Sequence, residues 1–276
     1  MATRAKRAAP MVGVIPGYNE FELDIESVLR AQIPNFFDQV AAAPLTHEAV
    51  LALPEGAKGA YMLLHRGTPV YAGKTDSRHG FHDRLRRHWY TLQYRKNIRI
   101  EDMSFKAVRI MVFSNFDVEA ILIEEMRKRD GAHLTWNDSG FGSNDPGHNR
   151  EDQETAEFDD TYPIDIDRPL RVIQAGWRNL HELLVYAKDQ LPFLLRYETD
   201  EKGRKGKKVT YQKYTVGHAE QRAAEVDIPT DAPTMRELMT IIVKALPGWR
   251  VTVFPGRVIL YRDQEDYTFA TEYIAA

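Results

Sequence analysis

Two short apolar segments around a turn sequence indicate that this chain contains a β-hairpin. The segments AYMLL and VYAG are separated by HRGTP. Branched and aromatic residues on both sides of a glycine-containing turn are typical of paired antiparallel strands. If the loop consists of residues 66–68, Tyr71 lies directly opposite Leu63, and Tyr61 is its diagonal neighbour on the same face. By themselves, two strand tyrosines are most often core or cross-strand pairs.

The segments after the hairpin extend it into a sheet with helices. Residues 81–92 have helical periodicity, and residues 104–113 have the composition of a strand. Asn115 or Asp117 can cap a further helix that runs to about Arg129. The order ββαβα predicts a small mixed β-sheet flanked by helices, in the α+β fold class.

The flanking regions predict an N-terminal helical arm and a C-terminal α/β extension. Residues 22–42 are predicted to form a helix that is interrupted or turned near Pro34. Thr234 and Glu237 make a capping-box sequence for a helix through Ala245, and WRVTVF and RVILYR then alternate like a hairpin. The predicted divisions are 1–55 for the arm, 56–165 for the core and 166–276 for the extension.

Loop-like stretches separate these elements. The first twenty residues are predicted to be a loose basic arm, and the sequence after Asn137 is rich in glycine and small polar residues. The acidic residues between 151 and 160 indicate a solvated loop or a functional acidic gate. Residues 173–197 return to a helix and a strand, and residues 202–208 are predicted to be a linker or a hairpin tip.

Composition limits the function classes. Because the chain has no cysteine, disulfides and thiolate metal sites are excluded, and carboxylates, histidines or waters must bind any metal. The net charge of −3 is not that of a protein that coats nucleic acid, so any DNA contact must come from local patches. No apolar run is long enough to span a bilayer and no signal peptide is evident, so we expect a cytoplasmic protein without membrane contact.

The helix predicted at 81–92 carries Arg84 and His88 at i and i+4, on one face. Arginine can donate two hydrogen bonds to one phosphate, and histidine exchanges a proton near neutral pH. This pair therefore suits a phosphate-binding site with a titratable partner. A basic run with interleaved aromatic residues extends from Arg84 to Arg99. It indicates either a DNA-contacting surface or a solvated helix face.

Spacing separates the acidic residues of the next helix. Glu119 shares its face with apolar residues, where an unpaired carboxylate is costly and needs a cation. Glu124 and Glu125 instead precede the basic residues 127–129 by the three or four positions typical of surface ion pairs. Glu119 is therefore the better candidate for a metal ligand.

These residues, in this order, resemble the GIY-YIG nuclease superfamily. The matching sequences are Gly59-Ala60-Tyr61, Tyr71-Ala72-Gly73-Lys74, Arg84 with His88, Glu119, and Trp136-Asn137. Ala60 and Ala72 stand where the superfamily usually has a branched apolar residue, and both are compatible with a strand. The resemblance implies a GIY-YIG core and a metal-dependent nuclease.

A narrower resemblance covers roughly residues 20–165. This region is similar to restriction endonucleases that cut CCGCGG, the isoschizomers of SacII. The similarity rests on Val118-Glu119-Ala120, Leu122-Ile123, Trp136-Asn137, Gly140-Phe141-Gly142, Pro146-Gly147 and Arg150. The run between Ile123 and Trp136 is longer here than in those enzymes, so Glu124 or Glu125 stays open as an alternative ligand.

The resemblance assigns roles to the residues of the two tyrosine motifs and the helix after them. Tyr61 is expected at the attacking water as the general base or its assistant, and nearby cationic charge must lower the pKa of this phenol. Tyr71 is expected on the opposite side of the scissile phosphate. Lys74 would orient the nucleophile or ease its deprotonation, and Arg84 would bind the phosphate.

The remaining matched residues complete the implied site. His88 would relay a proton or hold Tyr61 by a hydrogen bond. Glu119 would bind one Mg²⁺ per site, with Mn²⁺ as a substitute, and Asn137 would brace the site.

The resemblance also implies a partner and an assembly. Enzymes of this subgroup read palindromes in double-stranded DNA, and a twofold homodimer matches that symmetry. Candidate DNA-contacting residues are Arg86, Arg87, Arg95, Lys96, Arg99, Ser143, Asn144, His148 and Arg150. The glycine-rich loop 139–150 would let its backbone approach DNA closely, unless it is a plain surface turn. The alternatives are a nuclease subunit of a repair or multi-subunit defence system, and an inactive GIY-YIG-like DNA-binding protein.

Overall fold

The computed structural model describes residues 24–75, 78–111, 118–130, 134–142, 151–200 and 212–276. Helices and several small sheets alternate along the chain, which confirms the α+β class. The elements up to residue 130 are α1 (Ile25–Gln39), β1 (Ala43–Pro44), α2 (His47–Leu51), β2 (Gly59–His65), β3 (Thr68–Lys74), α3 (Phe81–Gln93), β4 (Met103–Arg109) and α4 (Val118–Asp130).

The remaining elements are α5 (Glu157–Thr161), β5 (Gly176–Asn179), α6 (Leu180–Gln190), β6 (Leu194–Tyr197), α7 (Gln212–Val216), α8 (Ala219–Ala223), β7 (Glu225–Ile228), α9 (Met235–Ala245), β8 (Arg250–Phe254), β9 (Arg257–Tyr261) and β10 (Glu272–Ile274). No helix in the described ranges has both the length and the apolar character needed to cross a membrane.

The first sheet has the order β1-β4-β2-β3. Every pairing in it is antiparallel, so the expectation of a mixed sheet is wrong for this part of the chain. The reason is that α3 brings the chain back alongside β2 in the opposite direction. Alternation along β2 sends Tyr61 and Leu63 to the face covered by α3, while Ala60, Met62 and Leu64 pack against α1 and α4.

The hairpin of β2 and β3 has the predicted register but a different turn. Leu63 pairs with Tyr71 as expected. The loop consists of only Arg66 and Gly67, both with positive φ, and a register shift between Leu63 and Leu64 supplies the missing residue. Two consecutive positive φ values are typical of the tight turns that match the twist of paired strands.

The C-terminal part contains a second sheet of order β10-β8-β9-β6, in which β6 runs parallel to β9 and the other pairs are antiparallel. The predicted capping box at Thr234 and Glu237, the helix through Ala245 and the hairpin of β8 and β9 are confirmed. Helices α6 and α9 bury their apolar faces against one side of this sheet.

Two further differences have physical causes. Helix α1 continues through Pro34 without interruption, with the Asn35 side chain donating to the Ala31 carbonyl 2.9 Å away. The acidic segment includes the short helix α5, because Phe158 is buried in the core. The predictions for residues 1–20, for the caps Asn115 and Asp117 and for residues 202–208 lie outside the described residues.

Candidate active site

Strand β2 and helix α3 bring Tyr61 and His88 together on the face of the first sheet that α3 covers. The Tyr61 hydroxyl lies 2.8 Å from Nε2 of His88, and both side chains are buried. Alternation along β2 aims Tyr61 at α3, and the buried stripe of α3 that includes Leu85 and Leu92 presents His88 to the sheet. The sequence motifs are thus brought into direct contact.

Tyr71 joins this pair from β3. Its ring centroid is 6.2 Å from that of Tyr61 and 5.3 Å from that of His88. Gly73, two residues along β3, has no side chain to fill the space between the phenols. A Cβ at this position would lie 2.6 Å from the Tyr61 hydroxyl and 2.9 Å from Cε1 of Tyr71.

Lys74 and Glu119 lie beside β3, on the α4 side. Nζ of Lys74 is 3.5 Å from Oε2 of Glu119, and both side chains are partly exposed. The charge of Glu119 contributes to raising the pKa of Tyr71, so the carboxylate is within electrostatic reach of the phenols. The cation that the sequence required for Glu119 is supplied, in the protein alone, by Lys74.

Asn137 binds the outer edge of β3. Its Oδ1 accepts a hydrogen bond from the backbone N–H of Ala72 at 2.9 Å, and its Nδ2 donates to the Ala72 carbonyl at 2.7 Å. This pair of bonds replaces what a neighbouring strand would provide, since β3 is the last strand of the sheet. Asn137 therefore fixes the backbone next to Tyr71.

Phe141 is a site residue to which the sequence reasoning gave no role. Its ring stacks on His88 with centroids 5.0 Å apart and meets Tyr71 edge-on at the same separation. Gly140 and Gly142 both have positive φ, and this backbone turns Phe141 inward. The sequence does contain a cue, an aromatic residue between two glycines, but the pattern by itself assigns a role only to the glycines, as aids to DNA approach.

Burial sets the protonation of the central groups. It lowers the pKa of His88 to about 3, and the positive charges of Arg87 and Arg84 act in the same direction. Burial also raises the pKa of Tyr61. Tyr71 raises it further, and the positive charge of Arg84 offsets only part of the increase. In the protein alone, burial outweighs the lowering effect of the Arg84 charge on the pKa of Tyr61, and the expectation that His88 titrates near neutral pH is wrong because its side chain is buried.

Arg84 lies one helical turn before His88, on the same face of α3, and is half-buried. Its charge acts to lower the pKa of both Tyr61 and Tyr71, so the guanidinium is near the two phenols. This position allows Arg84 to offset negative charge that enters the site.

The predicted DNA-contacting residues that the structure describes divide into two groups. Arg86, Arg87, Lys96 and Arg99 are exposed. Arg95 is not: Nη1 of its buried guanidinium lies 2.6 Å from Asp159 and 2.9 Å from the Tyr162 carbonyl. Arg95 is therefore no longer a candidate for DNA contact, because it could bind a phosphate only by breaking this ion pair. Residues Ser143, Asn144, His148 and Arg150 lie outside the described residues.

Glu124 and Glu125 are engaged elsewhere on α4. Arg30 of α1 lies 2.6 Å from Glu124 and 3.2 Å from Glu125, and Lys128 also contacts both carboxylates. These ion pairs join α1 to α4. Of the three acidic residues, only Glu119 forms its ion pair with β3, through Lys74. In the described ranges, no group of three or more acidic, histidine or cysteine side chains could enclose a metal.

A single carboxylate still fits one kind of metal site. Mg²⁺ keeps several waters and is commonly held by one or two carboxylates together with substrate phosphates. Glu119 is partly exposed and lies beside the phenols, so it can supply that one protein ligand. No family model matches the chain, and no curated protein sequence matches it.

Proposed function

We propose that this chain is a metal-dependent DNA endonuclease of the GIY-YIG kind that hydrolyses phosphodiesters in double-stranded DNA. The observation that carries the proposal is the hydrogen bond between Tyr61 and His88 beside the edge strand β3, whose Lys74 pairs with Glu119. Buried phenols around a histidine are common in protein cores. Their combination with an arginine, a lysine and a partly exposed carboxylate supports hydrolysis of a phosphate ester.

The proton path follows from the hydrogen bond. Tyr61 takes a proton from the attacking water as its own hydroxyl proton passes to Nε2 of His88, which becomes an imidazolium. This step requires the tautomer of His88 with its proton on Nδ1. The low pKa of His88 opposes the step in the empty site, so the negative charge of a bound phosphate is needed to stabilise the imidazolium.

The other side chains position the phosphate and offset its charge. Arg84 binds the scissile phosphate from α3, and Lys74 orients the water from the opposite side of β3. Tyr71 donates a hydrogen bond to a phosphate oxygen, because its raised pKa keeps the phenol protonated. Asn137 keeps β3 in place. When bound to Glu119, Mg²⁺ or Mn²⁺ would neutralise charge on the phosphate and on the leaving oxygen.

For recognition, we propose that the DNA backbone is contacted by the exposed residues Arg86, Arg87, Lys96 and Arg99. A palindromic site read by a homodimer, as in the resembled restriction enzymes, remains the proposed assembly, and the proposed location is the cytoplasm.

The test is cleavage of a plasmid of known sequence by the purified chain with Mg²⁺, with the ends mapped. We expect discrete fragments from the wild type, and Glu119→Gln should reduce the rate by about a hundredfold or more. Glu124→Gln is the matched control on the same helix and should cut like the wild type. Anisotropy of a labelled duplex in Ca²⁺ should show that both variants still bind DNA.

Equal cleavage by wild type and Glu119→Gln would remove Glu119 as the ligand, and selective loss in Glu124→Gln would transfer that role. A second candidate, a GIY-YIG-like protein that binds DNA without cutting it, is favoured by one observation: Lys74 already pairs with Glu119. Binding without cleavage in both Mg²⁺ and Mn²⁺ would support it. Cleavage that requires a second protein would indicate a subunit of a repair or defence complex.

A further inference from the structure

The ring of Phe141 covers one face of the His88 imidazole. The two rings are stacked, with centroids 5.0 Å apart and an angle of 27° between their planes. Tyr61 and Tyr71 contact the imidazole from β2 and β3, at centroid distances of 5.6 Å and 5.3 Å. Within the described residues, Phe141 is therefore the aromatic side chain that covers His88 from outside the sheet.

The backbone around Phe141 is built for this position. Gly140 and Gly142 have φ values of +96° and +72°, which L side chains rarely adopt. A Cβ at Gly140 would lie 2.6 Å from Cβ of Ala156, and one at Gly142 would lie 3.4 Å from the Tyr71 hydroxyl. Larger residues at either flank would push the segment away from the site.

The charged groups around His88 lower its pKa, and the titratable phenols beside it are neutral. Arg84 and Arg87 on its own helix both disfavour a positive imidazole. Tyr61 and Tyr71 face it from the sheet, and their pKa values are raised, so both are neutral phenols at working pH. Among the described residues, no carboxylate contributes to the pKa of His88, and burial is the largest cause of its shift.

We propose that Phe141 is a positioning residue that shields His88 from water and keeps the imidazole neutral, so that Nε2 stays available to the Tyr61 hydroxyl. Its importance for cleavage rests on the proposed nuclease function. The shielding itself does not depend on that function. Phe141 touches neither the attacking water nor the phosphate in this scheme and acts only through His88.

The test is an NMR titration of the histidine ring protons in wild type, Phe141→Ala and Phe141→Leu, with the His88 signal identified by its absence in His88→Gln. We expect the His88 pKa to rise by about one unit or more in Phe141→Ala, because water reaches the ring, and by less in Phe141→Leu. Phe158→Leu is the control. Phe158 packs on Phe141 at 4.7 Å in the same aromatic cluster but has its other ring contacts with Trp136 and Tyr162.

The Phe158→Leu protein should lose stability and keep the His88 pKa of the wild type. A His88 pKa that stays unchanged in Phe141→Ala, or that rises equally in Phe158→Leu, overturns the proposal. If Phe141→Ala fails to fold, Phe141→Leu decides the question. A higher His88 pKa in that variant supports the shielding, and an unchanged His88 pKa overturns it.

The pH profile of cleavage separates this inference from the proposed function. In Phe141→Ala, the cleavage rate should fall about tenfold per pH unit below the new His88 pKa, because a protonated imidazole cannot accept the Tyr61 proton. If the wild type never cuts DNA, the proposed function fails, while the titration still tests the shielding. If the wild type cuts and the titration shows no change, only the role of Phe141 fails.

Discussion

Gly73 and Tyr61 are so close that a Cβ at residue 73 would lie 2.6 Å from the Tyr61 hydroxyl oxygen. The two residues are directly paired across β2 and β3. The glycine therefore provides the space in which the Tyr61 hydroxyl reaches His88, and the third position of the second tyrosine motif has a steric explanation.

We predict that Gly73→Ala displaces the Tyr61 ring and breaks its hydrogen bond with His88. Cleavage should fall by about a hundredfold, and unfolding free energy should fall by about 1–3 kcal/mol, as for other overpacked sites. Cleavage rates and urea denaturation measure the two effects. Gly67→Asn is the control, since Gly67 has open space around it and asparagine tolerates its left-handed backbone. Wild-type cleavage by Gly73→Ala would contradict the steric argument.

The hairpin shows how far local patterns carry a prediction. Period-two alternation placed Tyr71 opposite Leu63, and this pairing is present. The predicted loop has three residues, whereas the turn in the structure has two, and a register shift next to Leu63 restores the pairing. The shorter turn and the register shift offset each other, because the buried faces of the strands determine which side chains must point toward α3.

Burial by distant segments could not be predicted. Arg95 follows a basic helix and has the sequence context of a surface residue, but it is covered by Asp159, which lies 64 positions later. Likewise, His88 has a lowered pKa because it is buried, and one of the rings packed against it belongs to Phe141, which is distant in sequence. Spacing identifies side chains that share a face, but solvent exposure depends on what packs over that face.

Asn137 supplies the next prediction. Replacing it with leucine removes both hydrogen bonds to the backbone of Ala72 and leaves an N–H and a C=O of β3 without these partners. Unfolding free energy should fall by about 1–3 kcal/mol, and cleavage should weaken because Tyr71 loses its fixed backbone. Asp138→Asn is the control in the same turn. Unchanged stability and cleavage in Asn137→Leu would show that β3 does not need this brace.

The lowered pKa of His88 predicts that the unfolding free energy depends on pH. The folded protein keeps His88 neutral down to about pH 3, whereas an unfolded histidine binds a proton near pH 6.5. Between these values the unfolded chain binds more protons, so unfolding free energy falls as the pH drops, by up to about 1.4 kcal/mol per pH unit. The contribution is fully present above the unfolded pKa.

Denaturation of wild type and His88→Gln, measured from about pH 4 to pH 7, should show a shallower acid slope for the variant by close to one proton. The glutamine removes the titrating group and retains a polar side chain toward Tyr61. Parallel slopes would mean that His88 is already protonated, or solvated, in the folded protein.

The last prediction concerns Arg95 and Asp159, whose side chains are largely buried. Burial lowers the pKa of Arg95 even though Asp159 lies beside it, which indicates that desolvation of the guanidinium exceeds the attraction of the pair. Asp159→Leu should therefore destabilise the protein by about 3–5 kcal/mol, because it leaves a buried charge without its carboxylate. Arg95→Met combined with Asp159→Leu should restore most of this loss.

DNA binding then distinguishes Arg95 from its exposed neighbours. An exposed arginine such as Arg86 that contacts a phosphate contributes about one unit to the salt dependence of binding, so Arg86→Met should reduce that slope. The Arg95→Met and Asp159→Leu double variant should keep the wild-type slope, because a guanidinium bound to Asp159 releases no counterion from DNA. A slope reduced in the double variant as much as in Arg86→Met would return Arg95 to the DNA-contacting surface.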